Sequence, residues 1–192
     1  GTIYNIDFSD SASLLSYAQY TIWTATGKTG TELKPWTTIA SSINASNYTT
    51  DWSVDFTSLQ EGTNYVSVRA YDNANQSTTT NDIFYVKKDT VVPSDIATLS
   101  ATAGVARGQV KLTWTAPGDD GGSGDNTLGG YVVRYSTAPI TSDNDFNSAT
   151  DFVNSWAPVS AGSLETRYVN GLNTGVTYYF SVKTKDKANN LS

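Results

Sequence analysis

Apolar side chains recur at every second residue through much of this chain, and hardly anywhere at the three-to-four spacing of an amphipathic helix. A period of two puts alternate residues on opposite faces of a strand, so the pattern predicts β structure. In the C-terminal half it predicts strands over 96–103, 109–116, 130–137, 165–170 and 176–185. In the N-terminal half it predicts strands over 2–8, 17–26, 36–40, 51–57, 63–72 and 81–88. Tyr20 and Ile22 fall on one inward face, and Trp52, Val54 and Phe56 on another. Gly118–Gly130, built around Asp-Asp-Gly-Gly-Ser-Gly, reads as a loop. Ser142–Asp151 has room for one helical turn, for which Asp143 or Asp145 would serve as N-cap.

The pattern also repeats. Leu59-Gln-Glu-Gly62-Thr-Asn-Tyr65 returns as Leu172-Asn-Thr-Gly175-Val-Thr-Tyr178. Val68-Arg-Ala-Tyr-Asp72-Asn-Ala-Asn75 returns as Val182-Lys-Thr-Lys-Asp186-Lys-Ala-Asn189, one residue further displaced. A period of this length is too long for a solenoid and fits one sandwich domain of ~100 residues. Two tandem domains, 1–91 and 92–192, are therefore expected. Between them runs Lys88-Asp-Thr-Val-Val92-Pro93-Ser-Asp95, where Pro93 holds Val92 extended and makes a short, semi-stiff joint.

The second domain resembles a fibronectin type III module. Leu112-Thr-Trp114-Thr-Ala-Pro117 resembles that family's second strand, and Tyr131-Val-Val133-Arg-Tyr135 its third. Leu172-x-x-Gly175-x-x-Tyr178, followed by Phe180 and Val182, resembles its tyrosine-corner segment. The resemblance implies that Trp114 lies in the core and that the Tyr178 hydroxyl closes back on the backbone. In the first domain Leu59-x-x-Gly62, Val66-Ser-Val68-Arg-Ala70 and Asp72-Asn-Ala-Asn75 resemble the Ig-like repeats of large bacterial surface proteins. The fold class expected is therefore all-β, with two tandem Ig-like/fibronectin type III-like sandwiches. The expected structural core includes Trp52, Phe56, Trp114, Tyr131, Tyr178 and Val182.

Aligning the copies leaves each one short of a strand. The second domain has two strands before Tyr131, whereas the first has room for only one, 2–8, before 17–26. The first domain follows Asp72–Asn75 with a good final strand, 81–88, that has no counterpart after Asn189. A sandwich lacking its last strand leaves unpaired N–H and C=O groups along the neighbouring one. Phe180, Val182, Ile3 and Ile6 are the candidate edge-strand interface. Two explanations stand open: a window from a longer array, in keeping with a chain that starts at Gly1 and has no Met, or strand complementation by a neighbouring copy.

Composition narrows the chemistry. There is no His and no Cys, which excludes imidazole bases, thiolate nucleophiles, disulfides and His- or Cys-ligated metals. Twelve basic residues face 18 acidic ones, a net charge of −6, which argues against nucleic acid and anionic membranes as partners. No run approaches the ~18 apolar residues of a membrane span, so no membrane insertion is expected.

The remaining candidates are few. Asp119, Asp120 and Asp125 in one loop, and Asp143 and Asp145 in another, are oxygen donors of the kind Ca²⁺ takes, although no EF-hand pattern contains them. Asp and Asn are equally ordinary turn formers, the reading preferred for Asp72-x-Ala-Asn75 and Asp186-x-Ala-Asn189. No other cofactor is indicated. Adjacent Asp119 and Asp120 offer the only paired carboxylates, with nothing in the sequence to build a cleft round them. Trp23, Trp36, Trp156 and Tyr71 have no clear place inside. Exposed, such rings would suit sugar stacking or a protein contact, but for most of them packing between sheets or at a domain junction is the preferred reading. Asn44, Asn47, Asn75 and Asn190 fit the N-glycosylation acceptor pattern, as chance allows in so Asn- and Ser/Thr-rich a chain.

These features lead to an expected role as a non-catalytic structural segment of an extracellular bacterial surface protein, adhesin or filament. Its expected partners are neighbouring copies or further repeats of the same chain. The rival expectation is a carbohydrate-binding module of a secreted enzyme, with glycans as partner. Clustering of Trp23, Trp36 or Trp156 on one exposed face would favour it.

Overall fold

The computed structural model describes residues 3–121 and 129–192. The fold is all-β, and the chain divides into two compact units, Gly1–Asp89 and Thr90–Ser192. The division falls just ahead of the Val92 boundary read from sequence because the joint residues are tied into the second unit. Gly121 N–H donates to Val92 C=O (3.0 Å), and the Thr184 hydroxyl donates to Ser94 C=O (3.1 Å).

The first unit contains β1 (Ile3–Tyr4), β2 (Phe8–Ser9), β3 (Leu15–Ala25), β4 (Thr29–Ala40), β5 (Asn47–Tyr48), β6 (Trp52–Ser53), β7 (Gly62–Asp72) and β8 (Ser77–Lys88). Its main sheet has the order β4-β3-β7-β8, all antiparallel, and two short pairs, β1–β6 and β2–β5, complete it. Alternation sends Ala18, Tyr20 and Ile22 from β3 and Val66 and Val68 from β7 into one core with Phe8, Leu15, Trp52, Val54, Leu59 and Val86. Phe84 of β8 closes that core at one edge, its ring stacked on Tyr4 at 4.2 Å.

Several expected boundaries move, each for a local reason. β4 starts at Thr29 rather than at 36, because a tight turn with Gly27 at φ +69° and Lys28 at +56° pairs Ala25 with Thr29. The Thr-Gly-Lys-Thr-Gly run hides this in the sequence. The strand expected over 51–57 stops at Ser53. The Asp55 carboxylate accepts from Thr57 N–H (3.1 Å) and caps a 3-10 turn, Phe56–Ser58. Trp52 is buried as expected, but Phe56 sits half-buried on this turn and packs against the core from outside. Ile6 likewise is no edge residue, since it packs against the same core while Ile3 stays 70% exposed.

The second unit contains β9 (Ser100–Ala103), β10 (Val110–Thr115), β11 (Gly130–Ser136), α1 (Asp143–Ser148), β12 (Thr150–Phe152), β13 (Leu164–Val169) and β14 (Tyr179–Lys185). Two three-stranded antiparallel sheets, β13-β10-β9 and β12-β11-β14, hold a core of Leu112, Trp114, Tyr131, Val133, Val169 and Val182 between them. Trp114 is 1% exposed and meets Tyr131 edge-on at 5.0 Å. Ile96 and Leu99 pack on this core without joining the sheet, so β9 is shorter than the 96–103 strand expected.

The expected helical turn exists, but its cap is Ser142. The Ser142 hydroxyl accepts from Asp145 N–H (3.1 Å), while Asp145 accepts from the N–H and hydroxyl of Thr141 (both 3.0 Å). Serine reaches the free amide of the first turn that an aspartate one residue later would miss.

Candidate functional site

The two repeats end in the same turn. Asp72 N–H donates to Gln76 C=O (3.0 Å), and Gln76 N–H donates back to the Asp72 carboxylate (2.7 Å), with Asn75 at φ +62°. Asp186 makes the equivalent pair with Asn190 (3.1 and 2.8 Å), with Asn189 at φ +75°. The recurrent Asp-x-Ala-Asn thus accepts turn backbone and supplies the left-handed residue that reverses the chain.

Beyond the turn the two units diverge. In the first unit β8 runs the length of β7, pairing from Tyr71–Ser77 to Gly62–Lys88. In the second, only a bridge from Leu191 to Lys185 and a bond from Ser192 N–H to Thr184 C=O (3.0 Å) begin the same course. Thr184 also donates its N–H to the Ser192 hydroxyl (3.0 Å), so both its backbone groups face away from β11. In an antiparallel strand the backbone groups of every second residue point to the same side. Val182 and Phe180 therefore present N–H and C=O on that side of β14, which among the described residues has β11 as its one neighbour in the sheet.

Beside this edge lies a groove of about 350 Å³, walled by Ala101, Ala103, Val110, Leu172, Tyr178 and Phe180. All four residues of β9 are exposed, and Val176 on the groove wall is 44% exposed. The Phe180 and Val182 of the expected interface belong to β14, with Val182 buried in the core and Phe180 half-buried on the groove wall.

The corner ahead of β14 is closed by Tyr178, a half-buried residue whose hydroxyl accepts from Asn173 N–H at 3.3 Å in an exposed hydrogen bond. In the first unit the matching position is held by Asn64 rather than by Tyr65. Asn64 is wholly buried; its carbonyl accepts from Gln60 N–H (3.1 Å), and its amide donates to the C=O of Gln60 and Gly62 (2.8 and 3.0 Å). Gln60 and Asn173 occupy the same place in the repeat, so two different side chains satisfy one backbone amide.

A buried polar cluster that the strand pattern does not announce lies under β13. Glu165 is 1% exposed; it accepts from the Tyr131 hydroxyl (3.0 Å) and Val159 N–H (2.7 Å) and pairs with Arg167 at 2.8 Å. Burial, with the neighbouring Glu165 charge, pushes the Tyr131 hydroxyl well above the ordinary tyrosine range. The one signal for it in the sequence is parity: Glu165, Arg167 and Val169 share one face of β13, and Val169 faces inward. A carboxylate so fully paired has no acceptor capacity directed at solvent, and its effect is to pin the 157–159 segment to the sheet.

Among the described residues, the acidic side chains put forward for calcium do not converge. Asp143 pairs with Lys183 (2.8 Å), and the Asp145 carboxylate accepts from the N–H and hydroxyl of Thr141. Asp119 is half-buried and Asp120 exposed, and Asp125 lies outside the described residues. Among the described residues, no three His, Cys, Asp or Glu come close enough to share a metal ion.

The aromatic candidates separate. Trp156 packs on the second core, 5.5 Å from Phe152 and 6.3 Å from Trp114, with Arg167 at 6.0 Å, the inter-sheet packing preferred for most of these rings rather than a ligand-facing place. Trp23 and Trp36 both lie half-buried on the outer face of the main sheet of the first unit. There Tyr17 stacks on Tyr71 (4.4 Å), and Arg69 lies 5.3 Å from the Tyr71 ring and 4.2 Å from that of Trp36, with Lys28 at 5.4 Å from Trp36. The Trp23 indole donates to the Thr21 hydroxyl at 3.0 Å. No protein-family model and no curated protein matches the chain.

Proposed function

We propose that this chain is a non-catalytic structural segment of an extracellular bacterial surface protein, adhesin or filament, and that it associates with neighbouring copies or further repeats through the free edge of β14. The observation that carries the reading is the contrast between the repeats. β7 is covered end to end by β8, whereas among the described residues Phe180 and Val182 of β14 have no partner strand on the side of an open groove. Unpaired edges recruit strands, and soluble proteins ordinarily block them with charge, proline or a covering element. A contact in which one copy fills the edge of the next is heterologous and propagates as an open chain. The net charge of −6 disfavours indiscriminate clumping, so association is confined to a matching strand. Cell-surface location and the Ig-like/fibronectin type III character rest on the sequence resemblance. Sedimentation velocity over rising concentration of the intact chain tests the reading. Progressive growth of head-to-tail species is expected, and a folded monomer that stays monodisperse at high concentration would overturn it.

A second reading has its own observation. Tyr17, Tyr71, Trp36 and Trp23 share one sheet face, the disposition that suits stacking on sugar rings. On this reading the first unit is a carbohydrate-binding module. The Arg69 guanidinium already lies against Trp36 and Tyr71, so a sugar would compete with it. Glycan binding abolished by Trp36→Ala would establish this alternative.

A further inference from the structure

We propose that the outer face of the main sheet in the first unit binds an acidic polysaccharide, a polymer of uronic acids, through the Arg69 guanidinium. This rests on the carbohydrate-binding reading above and names its ligand class. Strand pairing places Thr38 of β4, Gln19 of β3, Arg69 of β7 and Thr79 of β8 in one row across the sheet. Neighbouring strands lie about 4.8 Å apart, so the row is about 14 Å long. Parity turns it away from the core, because Ala18, Tyr20 and Val68 beside it are buried inside. Trp36 borders the row on one side, and the stacked pair Tyr17 and Tyr71 on the other.

Arg69 is held in place at the centre of this row. Its Nε donates to Gln19 Oε1 (2.8 Å), and the Gln19 amide donates onward to the Thr38 hydroxyl (3.5 Å). The guanidinium lies 4.2 Å from the Trp36 ring and 5.3 Å from the Tyr71 ring, so a neutral sugar must displace it to stack on either. A ligand that binds the guanidinium itself displaces nothing. With Nε taken, the two terminal nitrogens have no acceptor among the described residues, and neither is enclosed. Such a planar fork of N–H donors matches the two oxygens of a carboxylate. Charge agrees with geometry. Lys28 Nζ lies 5.4 Å from the Trp36 ring, and among the described residues neither Lys28 nor Arg69 has a carboxylate at ion-pair distance. The chain as a whole carries −6, so the attraction belongs to this face and acts at contact range.

The test is calorimetric titration of the intact chain with polygalacturonate and with the same polymer methyl-esterified, which keeps the sugar rings and removes the charge. Polygalacturonate should bind at least about tenfold more tightly than the ester. Added salt should narrow the gap. Arg69→Lys keeps the charge but not the fork, and should weaken binding of the acid form by about tenfold, with melting curves checking its fold. The ester comparison alters only the ligand, so it decides the matter even if that variant misfolds. Equal binding of the two polymers would overturn the proposal, as would no binding of either, or unchanged affinity in a folded Arg69→Lys. Tighter binding of a sulfated polysaccharide would overturn the choice of a carboxylate. If a neutral glucan binds instead and Trp36→Ala abolishes it, the carbohydrate reading survives that failure. If no polysaccharide binds, both fall.

Discussion

Single residues carry unequal shares of this fold. Trp114 is almost wholly enclosed and touches both Tyr131 and Trp156. Trp114→Ala should cost about 3–5 kcal/mol, a large share of the ~5–15 kcal/mol that holds a domain together. Urea titration followed through the amide signals of β10 and β11 would measure it. Asp55 makes a different kind of contribution. The Thr57 hydroxyl and the Lys34 ammonium hold its carboxyl down at about 2, against an ordinary 3.8. A carboxyl whose folded pKa is depressed stabilises the fold above its unfolded value and loses that contribution as pH falls through the folded one. Thermal stability should therefore decline between pH 4 and pH 2, with Asp10 and Asp145, also held low by hydrogen bonds, adding to the slope. Asp55→Asn should flatten the profile in a series of melting curves.

At the level of elements, the two corners meet one backbone need with different side chains, whereas the two turns meet it with the same ones. Asn64→Ala would leave the amide of Gln60 and the C=O groups of Gln60 and Gly62 without their buried partner, and should cost about 1–3 kcal/mol. Tyr178→Phe removes one exposed hydrogen bond and should cost only about 0.5–1.5 kcal/mol. Calorimetry of the two variants should place them in that order. Parity makes the central strands legible in the sequence: Tyr20 with Ile22, Leu112 with Trp114, and Tyr131 with Val133 all face inward where period two puts them. It fails where a side chain takes over from the ladder. The Trp52-Val54-Phe56 alternation runs on through Asp55, but the Asp55 carboxylate ends the strand by capping a turn. Glu165 and Asn64 escape a reading by composition, which marks both as surface residues; partners such as Arg167, Tyr131 and Gln60 allow them inside. The groove beside β14 depends on where β9 falls in space, which the strand pattern does not give.

For the molecule as a whole, the account turns on whether the edge of β14 is open. Its backbone should alternate: Ser181 and Lys183 face β11, while Phe180 and Val182 face the groove. Site-resolved hydrogen–deuterium exchange on the dilute chain reads this directly. The account predicts slow exchange at Ser181 and Lys183 and fast exchange, near the rate of a free peptide, at Phe180 and Val182. Uniform protection along the strand in dilute solution would contradict it, because the edge on which the proposed association depends would then already be filled.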